Sequence, residues 1–291
     1  MRSVRVVSLS FYPCSHEKIA PLVDAEGSGG VDLLVLPETW TGNEPEQLDG
    51  PAVTAMVTMA KKHRMYIVCP VYRLVSGQRL NSTILIGRSG EICGIYDKMY
   101  PYWDEFNLTP PARPGTKPFV YETDFGKLGL ATCFDANFPE VWQGLADAGA
   151  ELVVWSSAYS GGRTLATYAI IHHYYIVTST WTRDCLVYDI TGDILMDERS
   201  EDVNVSRIRL DLDRGIYHVN FNTDKLEKLL QEHGGDVERE RYLEREEWFV
   251  LKAKHPGVSV RELARTYGLE ELREYIRRSR REINQMREGG I

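Results

Sequence analysis

No CxxC pair occurs anywhere in the 291 residues. The five cysteines (Cys14, Cys69, Cys93, Cys133, Cys185) are odd in number and scattered. That argues against a disulfide framework or a cysteine-built zinc site and points to a reducing, cytoplasmic setting. Long hydrophobic runs are missing too: none approaches the roughly 18 apolar residues that a membrane-spanning helix needs, so no membrane partner is expected. Nor is there a positive excess. Lys and Arg number 34 against 42 Asp and Glu, a formal charge of −8, and a nucleic-acid partner is not expected because phosphate binding needs a positive field. The opening MRSVRVVSLSFYP is too brief and too polar for a signal peptide and reads as a strand and a turn. No internal repeat is evident.

What is present is ordinary for a globular chain, 43% hydrophobic and 26% charged, long enough to bury about 75% of its unfolded surface. Short β-rich runs recur: VRVVSLS, VDLLVLP, MYIVCPVY, STILIG, EICGIYD, KLGLATC, AELVVWSS, YYIVTSTW, CLVYDI and VSRIRLDLD. Helical patterns lie between several of them, including HEKIAPLVDAEG, PAVTAMVTMAKKH, PEVWQGLADAGA and GRTLATYAIIHH. The alternation predicts a layered α/β protein. VDLLVLP and AELVVWSS are continuously apolar, as strands covered on both faces are. STILIGRSGEICGIYD reads as a hairpin turning at Arg-Ser-Gly. From about residue 222 to 291 the composition shifts to helix formers and charges broken by Gly234-Gly235 and Pro256-Gly257. This predicts a main domain over 1–221 and a helical C-terminal extension over 222–291.

Three reactive residues stand at the ends of apolar strands. Glu38 follows VDLLVLP, Lys98 follows EICGIYD, and Cys133 follows KLGLAT. Residues at the C-terminal ends of neighbouring strands converge on one rim in layered α/β proteins. Together they make a working set: Glu38 takes the thiol proton, Cys133 attacks a carbonyl carbon, and Lys98 steadies the oxyanion. A free thiol is mostly protonated at neutral pH. The ammonium, and a helix starting near Pro139, are expected to favour the thiolate.

These segments resemble the nitrilase superfamily, the carbon–nitrogen hydrolases, whose signature is a Glu–Lys–Cys triad. LLVLPETW is similar to the glutamate motif, IYDKMYP to the lysine motif and GLATCFDANFPE to the cysteine motif, in the family's order and over about residues 4–213. The resemblance implies a four-layer αββα sandwich, with copies pairing into a homodimer or higher homo-oligomer, and a C-terminal tail covering an interface. It implies a second glutamate after the lysine, best matched by Glu105 with Asp104 as the neighbour easily mistaken for it. It also implies that the Phe134 N–H shares the oxyanion with Lys98. Trp155, Ser157 and Tyr159, beyond the strand that follows the nucleophile, are expected to line the pocket, as is Tyr102, with Tyr100 and Trp103 beside it. The substrate implied is a small linear amide or N-carbamoyl compound, with a nitrile as the alternative. No metal or organic cofactor is called for. Where relatives carry Arg-Ala-x-Glu-Asn, this chain reads ATYAIIHHYYIV, with His172 and His173 in place of Glu and Asn.

Blander readings compete at each position. A lone cysteine is most often a small buried hydrophobe, and Cys14, Cys69, Cys93 and Cys185 are read so. Asp135 suits a turn-orienting role, accepting backbone N–H groups. The His172-His173 pair offers a rival Cys–His dyad, and EGSGG precedes a strand, which disfavours a phosphate loop. VSVRELARTYGLEELREYIRRS resembles a helix-turn-helix with Gly268 at its turn, but residues 257–291 hold eight arginines against six glutamates, too weak a surplus for a DNA-reading surface. A catalytically silent scaffold is the other non-enzyme reading; the intact triad speaks against it.

Overall fold

The computed structural model describes residues 2–289, which divide into two compact units, Val4–Leu210 and a second comprising residues 2–3 and 211–289. In the first, strands β1 (Ser3–Ser10), β2 (Leu33–Val35), β3 (Tyr66–Val75), β4 (Gln78–Ile86) and β5 (Ile92–Asp97) form one sheet. β6 (Phe119–Thr123), β7 (Gly126–Thr132), β8 (Leu152–Ser157), β9 (Tyr175–Thr180), β10 (Asp184–Tyr188) and β11 (Ile194–Arg199) form another, and β12 (Asn204–Asp211) returns to the first. The orders are β12-β1-β2-β3-β4-β5 and β11-β10-β9-β8-β7-β6. β1, β2 and β3 run parallel, as do β7, β8 and β9.

Alternation along the strands makes four layers. On β1, Val7 and Leu9, with Phe11 just beyond, pack with Ile19 and Val23 of α1 (His16–Gly27) and Val53 and Met56 of α2 (Pro51–His63). Those helix residues recur at the three- and four-residue spacing of a single apolar stripe. The intervening Ser8 and Ser10 face the other sheet: Ser8 Oγ donates to the Thr178 carbonyl at 2.7 Å, and Ser10 Oγ accepts the Thr180 N–H at 3.0 Å. Ser179 and Ser156 donate back to the Leu9 and Leu36 carbonyls at 2.7 and 2.8 Å. Small, satisfied hydroxyls let the two sheets approach closely, since a buried polar group is tolerated when it is hydrogen-bonded. On the outer face of the second sheet, Val153 and Trp155 pack with Trp142 and Leu145 of α3 (Pro139–Asp147) and Leu165 and Tyr168 of α4 (Arg163–His172). The result is the expected αββα sandwich. The Arg-Ser-Gly hairpin joins β4 to β5 with Gly90 at φ 84°. A second hairpin, β3–β4, turns on Ser76-Gly77, both at positive φ (50° and 78°), the dihedral signature of a two-residue turn matching strand twist.

The second unit has its own core and differs from the purely helical reading of 222–291. It starts at Asp211 rather than near 222. Its helices are α5 (Thr223–His233), α6 (Val260–Thr266) and α7 (Leu272–Glu288), but it also holds β13 (Gly215–His218), β14 (Val237–Leu243) and β15 (Trp248–Ala253), in the order β13-β15-β14. VERERYL looks helical because it is charged. It is instead a strand whose carboxylates meet cations across the sheet, Glu238 and Glu240 facing Lys252 at 3.1 and 3.4 Å, with Arg214 2.7 Å from Glu240. Its other face supplies Val237 to a core with Leu229, Phe249, Leu251, Val260 and Ala264. Among the described residues no helix is long and apolar enough to cross a membrane.

Candidate active site

Strand ends from both sheets of the first unit meet at one place. Glu38 follows β2, Lys98 follows β5, Cys133 follows β7, Ala158 follows β8 and Trp181 follows β9, and all five line one cavity of about 250 Å³. Glu105 joins them from a short 3-10 turn, Trp103–Asn107.

Lys98 is the hub. Its Nζ lies 2.8 Å from Glu38 Oε1 and 2.6 Å from Glu105 Oε2, and it is only 1% exposed. Burial by itself would push the ammonium down. Glu38 and Glu105 outweigh it and hold Lys98 charged, well above the ordinary lysine range. Glu105, not Asp104, is the buried partner; Asp104 stands exposed on the rim. Asn81 Nδ2 donates to both Glu38 Oε1 and Glu105 Oε1 at 2.8 Å. Tyr72, the cross-strand neighbour of Asn81, donates its hydroxyl to Glu105 Oε1 at 3.0 Å, and the Tyr102 N–H donates to Oε2 at 2.7 Å. Each carboxylate is therefore fixed by more than the lysine. The Trp181 indole N–H donates to the Glu38 carbonyl.

Cys133 begins a second 3-10 turn, Cys133–Asn137, in the left-handed region at φ 47°; Thr39, next to Glu38, is at φ 37°. Such strain in non-glycine residues persists only when the surroundings over-determine it. Here the fixing groups are visible. The Trp155 indole N–H donates to the Cys133 carbonyl at 3.1 Å. Asp135 accepts the Thr132 N–H at 2.9 Å, the Tyr100 N–H at 3.0 Å and the Tyr96 hydroxyl at 2.7 Å. Asp135 thus ties the cysteine turn to the segment after Lys98, the turn-orienting part read for it. Burial pushes its carboxyl up to about 6, while Tyr96, Lys98 and the two amides pull it back.

The thiol departs from expectation. Burial, with Glu38 adding to it, pushes Cys133 up to about 12, although Lys98, the Ala158 amide and Ser157 pull the other way. Two causes are plain: the ammonium is already engaged by two carboxylates, and α3 starts only after the 3-10 turn. The resting cysteine is a thiol.

Other placements need correcting. Trp155 is fully buried in the outer core and braces the cysteine carbonyl from behind rather than lining the cavity. Ser157 is likewise fully buried, its hydroxyl accepting the Tyr159 N–H at 3.0 Å. Tyr159 sits edge-on to Trp155 and outside the lining. The Phe134 ring meets Tyr102 edge-on at 5.5 Å. Tyr102 does line the cavity. Tyr100 does not: it stacks on Phe138 and donates to Glu140. Neither His172 nor His173 lines it; His172 stacks on Tyr168, and His173 caps α4 with Nδ1 3.3 Å from the Ile190 carbonyl. Cys69 packs in the first core and Cys185 is buried. Tyr72, Asn81 and Trp181 escaped the sequence reading, because strand-interior tyrosine and asparagine and a post-strand tryptophan carry no local motif.

A family model described as carbon-nitrogen hydrolase matches residues 15–215. Among curated proteins, β-ureidopropionase of Arabidopsis thaliana is 32% identical over 162 residues, 50% of this chain and 40% of the relative. A probable nitrilase of Schizosaccharomyces pombe is 30% identical over 161 residues, 50% of this chain and 58% of the relative. Deaminated glutathione amidase of Synechocystis is 27% identical over 161 residues, 48% and 58% respectively. The chain thus spans about half the length of these relatives. The same fold recurs in a Helicobacter pylori carbon-nitrogen hydrolase (TM-score 0.64, 18% identity, 73% of this chain and 90% of that one). It recurs too in the Nesterenkonia amidase bound to acrylamide (TM-score 0.61, 20% identity, 72% and 91%).

Proposed function

Because the chain belongs to the carbon-nitrogen hydrolase family, we propose that it hydrolyses a non-peptide C–N bond of a small linear amide or N-carbamoyl compound through a thioester at Cys133. One observation carries the reading: Lys98 Nζ lies 2.8 and 2.6 Å from Glu38 and Glu105 on the wall of a cavity that Cys133 also lines. The thiol proton passes to Glu38 as the Sγ–carbon bond forms; with the thiol held protonated by burial, transfer and attack belong to one step. The oxygen becomes an oxyanion held by the Lys98 ammonium and the Phe134 N–H. Glu38 then gives its proton to the leaving nitrogen, the C–N bond breaks, and the acyl group stays on sulfur. Water, held by Glu105 and deprotonated by Glu38, adds to the thioester; the C–S bond breaks, the proton returns to sulfur, and the acid leaves. A cytoplasmic, reducing setting suits this thiol chemistry. The relatives named as ureidopropionase and amidase support an amide-type substrate, and the one named as a probable nitrilase keeps a nitrile as the alternative.

Cys133→Ala tests the reading: the folded variant loses turnover of every amide, urea and nitrile that the wild type accepts, and retained turnover refutes it. Turnover confined to nitriles would assign nitrilase chemistry instead.

We propose in addition that copies of the chain associate through α7. Ile276, Ile283 and Met286 are 39, 47 and 70% exposed on it, at the a and d spacing of a heptad. In a parallel pair the g-position Glu282 of one copy faces the e-position Arg287 of the other. Ile283→Lys lowers the sedimentation mass of the oligomer; an unchanged mass refutes this contact.

A further inference from the structure

The cavity holds a charge imbalance that the hydrolytic steps leave unused. Three carboxylates line it, Glu38, Asp104 and Glu105, against one ammonium, Lys98. Glu38 and Glu105 both grip Lys98, so these three balance largely among themselves. Asp104 is outside that set. It is exposed at the rim, its Oδ1 takes only the neutral Asn107 amide at 3.0 Å, and among the described residues no cation pairs with it. Arg79 is close by in the fold, packed against the Tyr72 ring at 5.1 Å, but its guanidinium is directed at the Asn43, Thr109 and Pro110 carbonyls and is absent from the lining. The same cavity is lined by three aromatic side chains, Tyr72, Tyr102 and Trp181.

These features favour one sign of substrate. A carboxylate entering would be desolvated among like charges with no cation left to receive it. An ammonium would meet Asp104 beside aromatic side chains, a ring type that attracts cations through its quadrupole. At about 250 Å³ the space falls below that of typical pockets for drug-sized ligands, so the chain joining the two ends of the substrate is short. We propose that the enzyme takes a short linear amide or N-carbamoyl amine whose far end carries an ammonium group, and that Asp104 determines this preference. The proposal rests on the amidohydrolase reading of the same site.

Two matched series test it, primary amides and mono-substituted ureas of one chain length, ending in ammonium, methyl or carboxylate. The readout is kcat/KM for wild type and for Asp104→Asn. The wild type prefers the ammonium end to the methyl end, and turns over the carboxylate end least. Asp104→Asn compresses the ammonium-to-methyl ratio by about five- to tenfold, the size that one partly screened unit charge gives at close range, and added salt compresses the wild-type ratio in the same direction. Equal turnover of all three ends, a preference for the carboxylate, or a ratio unmoved by Asp104→Asn overturns the proposal while leaving the hydrolase reading standing. No turnover in either series, with a correctly folded wild type, overturns that reading and the proposal with it.

Discussion

Lys98→Met removes the one cation between two buried carboxylates. Methionine keeps the length and apolar stem of the lysine, so little cavity is created. What is lost is electrostatic. Nζ sits 2.8 Å from Glu38 and 2.6 Å from Glu105, with all three side chains under 10% exposed. Removing one partner from such a set costs about 3–5 kcal/mol, because charge is left buried and uncompensated. Glu105 keeps donors from Tyr72, Asn81 and the Tyr102 N–H, whereas Glu38 keeps the Asn81 amide. The unfolding free energy at pH 7 should therefore fall by about 3–5 kcal/mol. Adding Glu105→Gln to Lys98→Met should restore about half of the loss, against a further loss if the two sites were independent. Urea unfolding followed by tryptophan fluorescence at pH 7 reads both the loss and the partial rescue. A Lys98→Met protein as stable as wild type at pH 7, or strict additivity in the double variant, would refute the shared charge network. On the proposed mechanism, in which Lys98 holds the oxyanion, activity should also fall by at least about 10²-fold.

Other outcomes follow from the same site. Because burial pushes Cys133 up to about 12, its alkylation by iodoacetamide should keep rising from pH 7 through pH 10; a plateau reached below pH 7 would mean a resting thiolate. Asp135 is raised from 3.8 to about 6 in the fold, so its contribution to stability is fully present below about 3.9 and lost as pH rises through about 6. Wild type should thus gain on Asp135→Asn by up to about 3 kcal/mol between pH 7 and pH 4, at 1.36 kcal/mol per unit; denaturation midpoints that track in parallel would contradict it. Trp155→Phe should lower kcat more than it raises KM, since it frees the Cys133 carbonyl without touching substrate; a change in KM alone would return Trp155 to the pocket wall.

The candidate site was legible because each of its three reactive residues ends an apolar run, and a charge there is costly unless it serves a site. Glu38, Lys98 and Cys133 stand out in one dimension for that reason, and the rim on which they meet follows from parallel strands. Residues that act from strand interiors do not stand out. Tyr72 and Asn81 face each other only because β3 and β4 pair in that register, set by the Ser76-Gly77 turn. Trp155 shows the opposite error: it lies on the right strand, β8, but the two-residue period points it at the helices rather than into the cavity. The C-terminal strands were hidden by composition. VERERYL alternates charge because its cross-strand partners are charged too, and a pattern of Glu and Arg alone cannot separate that from a solvated helix. The reading of the thiol failed for a related reason, since proximity to Lys98 was visible in the motifs and the prior claims of Glu38 and Glu105 on its charge were not.

Intact-mass spectrometry of the protein mixed with an amide that it turns over, quenched in acid within the first turnovers, tests the central claim most directly. The expected result is a mass increase equal to the acyl group, mapped to the peptide bearing Cys133, that disappears on further incubation as the acid is released. Turnover with no adduct at any quench time, or an adduct on another residue, would contradict it.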